Sequence, residues 1–140
     1  MYRPILSRRG FVGSTILAAV GFVSGQGRAL AQELSKIPLK ILKKTEYPGD
    51  KYVCVLLSLE LKPGELVPRH MHPGVESSYI AEGSITLFVK GEPDRVFKAG
   101  EGYQIPPETP HNIRNGPNKS TIAATLIVEK DKPLVEPPSE

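Results

Sequence analysis

Apolar side chains recur at every second position over several short stretches of this chain, and nowhere at the three-to-four spacing of a long amphipathic helix. The clearest stretch is Lys51–Leu61, where Val53, Val55, Leu57, Leu59 and Leu61 share one face. Shorter ones are expected over Leu66–His72, Glu76–Ala81, Ile85–Lys90, Arg95–Lys98, Tyr103–Ile105 and His111–Arg114. Thr121–Glu129 closes the series with Ile122, Ala124, Leu126 and Val128 on one side. Turn signals separate them: Glu46-Tyr47-Pro48-Gly49-Asp50, Lys62-Pro63-Gly64, Pro73-Gly74, Gly91-Glu92-Pro93-Asp94 and Ala99-Gly100-Glu101-Gly102. Glu82-Gly83 reads as the turn of a hairpin. Eight or so strands at this spacing predict an all-β sandwich or barrel over residues 51–130. Residues 32–50 form an N-terminal arm, and 131–140, with three prolines, an extended, loosely held tail.

At 140 residues the chain has room for one domain, which excludes an enzyme built from separate cofactor and substrate domains. Its 14 prolines and 13 glycines suit a turn-rich β-protein. The net charge of +3 comes from the start of the chain. Arg3, Arg8, Arg9 and Arg28 lie in the first 31 residues, which hold no acid. Taking those four from 18 basic residues leaves 14 against 15 acidic ones, so the body is near neutral and has no basic stripe for nucleic acid. Cys54 is the single cysteine, which excludes an intrachain disulfide; within Tyr52–Leu57 it reads as a small buried hydrophobe.

Residues 1–31 read as a targeting segment. Ser7-Arg8-Arg9-Gly10-Phe11 resembles the twin-arginine export signal, and the apolar run Phe11–Val23 is too short to span a bilayer as a helix. Ala29-Leu30-Ala31 supplies a small-x-small cleavage site, which would make Gln32 the mature N-terminus. The expectation is passage of the folded protein through the twin-arginine machinery to the periplasm, with no stable membrane anchor after cleavage. An uncleaved anchor is the other reading of the same residues.

The chain holds three histidines, His70, His72 and His111. His70 and His72 leave one face of a strand, Glu76 follows a Pro-Gly kink, and His111 can return alongside on a later strand. Three imidazoles and a carboxylate are a donor set for a borderline divalent metal. The spacing closely resembles the two motifs of the cupin family. Gly64, His70, His72, Glu76 and Gly83 match the first, and Gly100, Pro106, His111 and Asn115 the second. Glu108 stands where the second motif has a glycine, a position at which glycine permits a positive φ.

The resemblance implies a double-stranded β-helix, or jelly-roll barrel, with one divalent transition metal inside, held by His70, His72, Glu76 and His111. Iron or manganese comes foremost, with nickel, copper or zinc as alternatives. It also implies a metal-dependent oxidoreductase resembling the quercetin-dioxygenase-like members, acting on a small organic substrate, with Glu76 as general base. The same family holds isomerases, decarboxylases and lyases, and a non-catalytic periplasmic binding protein fits the residues as well. If Glu76 points inward, Ser78 and Ile80 do too, and with Gln104 these are the expected substrate-binding residues. Leu66 and Pro68 are expected inside, Tyr79 and Tyr103 in the barrel wall, and Arg69 opposite His70. A homodimer formed through a sheet is expected, because Cys54 and Leu56 give the Lys51–Leu61 strand a second apolar face.

Overall fold

The computed structural model of the chain describes residues 25–46 and 49–138. The paired arginines, the apolar run 11–23 and the Tyr47-Pro48 part of one turn lie outside the described residues. One helix, α1 (Gly25–Leu34), precedes nine strands: β1 (Leu39–Glu46), β2 (Tyr52–Leu61), β3 (Leu66–His70), β4 (Gly74–Glu82), β5 (Ser84–Val89), β6 (Arg95–Lys98), β7 (Gly102–Ile105), β8 (His111–Asn115) and β9 (Ser120–Glu129). The expected cleavage point after Ala31 falls inside α1. Among the described residues no helix is long and apolar enough to cross a membrane.

The strands form two antiparallel sheets, β1-β2-β9-β4-β7 and β3-β8-β5-β6. The alternation predicts such a two-layer β-sandwich, and its jelly-roll form is the one the family resemblance implies. The core lies where the inward faces meet, with Leu61, Ile80, Ile85, Ile122 and Val128 almost wholly buried. β1 is an edge strand, and its exposed Lys40, Lys43 and Lys44 discourage pairing with another chain.

Four expectations need correction. Glu82-Gly83 is not a hairpin turn, because β4 and β5 belong to opposite sheets. Gly83 (φ 81°) turns the corner between them, where a Cβ would sit 2.1 Å from Ser120 Oγ and 2.5 Å from the Lys119 carbonyl. Leu66 is exposed and Val67 buried, the reverse of the parity counted back from His70. The register shifts between Val67 and His70, and this bulge lets two residues three apart both face inward. Cys54 is half-buried on the outward face of β2, out of phase with Val53 and Val55.

The tail is not loose either. Met71 and Glu136 exchange both backbone hydrogen bonds, and Leu134 packs against the core cluster that holds Val53, Val55 and Leu126.

Candidate metal centre

His70 ends β3 and His111 begins β8, and the two are register partners in one sheet. His72 follows β3 after a single residue, and Glu76 reaches in from β4 in the opposite sheet. The ring centroids of the three histidines lie 4.4–5.3 Å apart, and all three residues are buried. One nitrogen from each falls within 4.8 Å of the others, a grouping that could hold a metal ion. Glu76 Oε2 lies 3.0 Å from His72 Nε2 and 3.2 Å from His111 Nε2.

The far side of each ring is held by a backbone carbonyl. Nδ1 of His70 lies 2.6 Å from the Pro68 carbonyl, that of His72 2.6 Å from Leu134, and that of His111 2.9 Å from Thr109. A carbonyl only accepts, so each Nδ1 carries a proton, and it is Nε2 that each ring turns inward. His111 Nε2 is buried without a hydrogen-bond partner. Glu76 Oε2 lies so close to two of these nitrogens that a proton or a cation must stand between them, and a shared metal ion supplies that charge. The residues therefore fit a divalent metal, with imidazole nitrogens of the kind that Fe, Mn, Ni, Cu and Zn all accept.

Burial, helped by the neighbouring His111 and His72 rings, lowers the pKa of His70 from 6.5 to about 3, so this ring stays neutral. Burial pushes the Glu76 carboxyl up, but the His111 and His72 rings against it outweigh burial and hold it well below 4.5. Ser78 donates from Oγ to Glu76 Oε1 at 2.5 Å and steers the carboxylate.

A cavity of about 80 Å³ adjoins His70 and His72, lined by Leu57, Val67, Ile113 and Leu126, by Leu34 and Ile37, and by Leu134 and Val135. Among the described residues no lysine or arginine lines it. Of the expected substrate contacts, Ser78 lines this cavity. Ile80 faces inward but is packed into the main core cluster with Ile85 and Ile122. Gln104 points outward and donates to Ser77 Oγ, because on β7 it is Tyr103 and Ile105 that face in. Arg69 is exposed, opposite His70 as expected.

Tyr103 is the residue that sequence reasoning left in the wall. Its hydroxyl is buried, lacks a hydrogen-bond partner, and belongs to a side chain lining the cavity beside Ser78, its register partner. Burial first, and the charge of Glu76 second, push the phenol well above 10, so it remains a donor. The alternation of Tyr103 with Ile105 carried that signal in the sequence.

Comparisons with known proteins agree with this architecture. The family described as Cupin domain matches residues 57–128. No curated protein matches the sequence. Among solved structures, the DMSP lyase DddQ of Ruegeria pomeroyi is similar with a TM-score of 0.60 and 19% identity. That match covers 69% of this chain but only 49% of DddQ, so the chain spans about half that protein's length. A cupin-like protein of Thermotoga maritima matches at TM-score 0.58 and 21% identity, covering 70% of this chain and 72% of its own. A predicted oxalate decarboxylase of the same organism matches at TM-score 0.57 and 26% identity, covering 66% and 80%.

Proposed function

The chain belongs to the cupin domain family, and from that premise we propose a metal-dependent enzyme of dioxygenase type that acts on a small organic substrate inside the barrel. One observation carries the reading: three buried imidazoles each turn a ring nitrogen, with a carboxylate oxygen, toward one point beside an otherwise apolar cavity. His70, His72 and His111 would hold the metal, with Glu76 as fourth ligand. Iron or manganese, bound there, would supply a Lewis acid and a redox-active centre with positions left open.

The chain's own residues have distinct tasks. Glu76, when it loosens from the metal, is the general base for a substrate proton, and Ser78 keeps its second oxygen in place. Tyr103 offers its hydroxyl to an acceptor oxygen of the substrate. The apolar walls exclude water and favour an uncharged ligand. About 80 Å³ suits a compact molecule, since one water needs roughly 10–15 Å³ on the same scale.

A lyase or decarboxylase is the second reading, favoured by the 26% identity to the predicted oxalate decarboxylase. Against it, a dianion such as oxalate would meet no lysine or arginine among the described lining residues. Oxygen uptake by the iron-loaded protein with small diketones and phenols tests the two. Uptake that stops in Glu76→Gln supports the dioxygenase. Turnover without oxygen supports the lyase, and no turnover with any substrate points to a binding protein.

The same reading includes export of the folded protein to the periplasm through the twin-arginine route, which lets metal be acquired in the cytoplasm. It also includes a homodimer through the outer face of the β1-β2-β9-β4-β7 sheet. There Cys54, Ile127 and Val75 line up across β2, β9 and β4, with Leu56 and Tyr79 exposed nearby.

A further inference from the structure

The three histidines are braced in different ways. His70 and His111 bond carbonyls two residues before themselves, on their own stretch of chain. His72 instead reaches Leu134, 62 residues further on. The segment carrying Leu134 is held at several points. Glu136 donates its N–H to the Met71 carbonyl at 2.9 Å and accepts the Met71 N–H at 3.1 Å. The Leu134 side chain packs on the core, and Leu134 and Val135 line the cavity. Pro133 and Pro137 bias the residues before them to extended backbone, which stiffens the strap.

We propose that residues 133–136 are a working part of the metal centre. The Leu134 carbonyl positions His72 by fixing its tautomer and ring orientation, while the Leu134 and Val135 side chains close one side of the cavity. The inference rests on the metal-binding reading above. Partners that orient a ligand histidine generally set metal affinity by about 10- to 100-fold. Without the strap, the Nδ1–H of His72 loses its fixed acceptor, the ring is free to turn, and Nε2 no longer presents its lone pair to the site.

The test uses Co(II) as probe, because its visible absorption reports the number and symmetry of its nitrogen ligands. The full chain is compared with a chain ending at Asp131, with Glu136→Pro and with Leu134→Ala, each titrated against a competing chelator. Glu136→Pro removes the N–H donated to Met71 yet keeps the Leu134 side chain, and serves if the shortened chain does not fold. Leu134→Ala keeps the carbonyl and trims only the packing. Expected is a loss of Co(II) affinity of about 10- to 100-fold in the shortened chain, a loss in the same direction in Glu136→Pro, and an altered Co(II) spectrum in both. Far-UV circular dichroism should stay that of the full chain, and Leu134→Ala should keep the native spectrum. Unchanged affinity and spectrum in the shortened chain and in Glu136→Pro would overturn the proposal. A full chain that fails to bind Co(II) would overturn the metal reading itself, and the strap's role with it.

Discussion

Glu108 sits at φ 56°, in the left-handed region that an L-residue enters at a cost of about 1–2 kcal/mol. It holds that conformation where the motif has glycine, and its N–H donates to the His72 carbonyl at 2.9 Å. The turn therefore keeps its shape without the glycine. Replacing Glu108 with glycine should raise the unfolding free energy by up to about 1 kcal/mol, the relieved strain being partly offset by the freer unfolded chain. Urea denaturation checks this, and a lower midpoint for Glu108→Gly would contradict it. His70 makes a second prediction. Its folded pKa of about 3 lies below the ordinary 6.5, so on acidification the unfolded chain takes up a proton that the folded one refuses. Its contribution is complete above 6.5 and is lost, by about 1.4 kcal/mol per pH unit at most, as pH falls toward 3. Glu76, whose carboxyl is also depressed, adds its own loss in the same direction below the ordinary 4.5. The urea midpoint of the metal-free protein should thus fall from pH 7 downward, and less steeply in His70→Gln; a flat profile would count against this account. Histidine spacing made the donor set legible, because the chain has no other histidines to distribute. Strand parity decides which side chain enters the barrel, and on β7 it turns Tyr103 inward and Gln104 outward.

At the scale of elements, Gly74 opens β4 opposite Val128, and a Cβ there would sit 1.9 Å from the Ile127 carbonyl and 2.7 Å from Val128 Cα. Both obstacles are backbone, so β4 would have to move away from β9, and the chain between His72 and Glu76 with it. Gly74→Ala should cost about 1–3 kcal/mol and weaken metal binding as well. Thermal unfolding with and without added metal measures both effects, and a variant as stable as the parent would refute the close approach. Strands β2, β5 and β9 could be read from alternation because each carries a continuous inward face. What could not be read is anything that depends on pairing. The bulge in β3 and the assignment of β4 and β5 to opposite sheets arise from contacts with β8 and β9, far along the chain.

At the scale of the whole molecule, segments outside the two sheets also line the cavity: Leu34 and Ile37 before β1, and Leu134 and Val135 after β9. That arrangement was not visible in the sequence, because a proline-rich tail carries no alternation to announce where it will dock. The outer face of the larger sheet makes a prediction at this scale. Val75 and Leu56 are each 38% exposed and Tyr79 52%, so light scattering on the protein should give the mass of a dimer, and a monomer at micromolar concentration would remove that proposal. The most direct test of the central claim is elemental analysis of the protein purified from its native host beside a His70→Ala/His111→Ala variant. The account predicts about one iron or manganese per chain, absent from the variant. No metal above the level of the variant would contradict it.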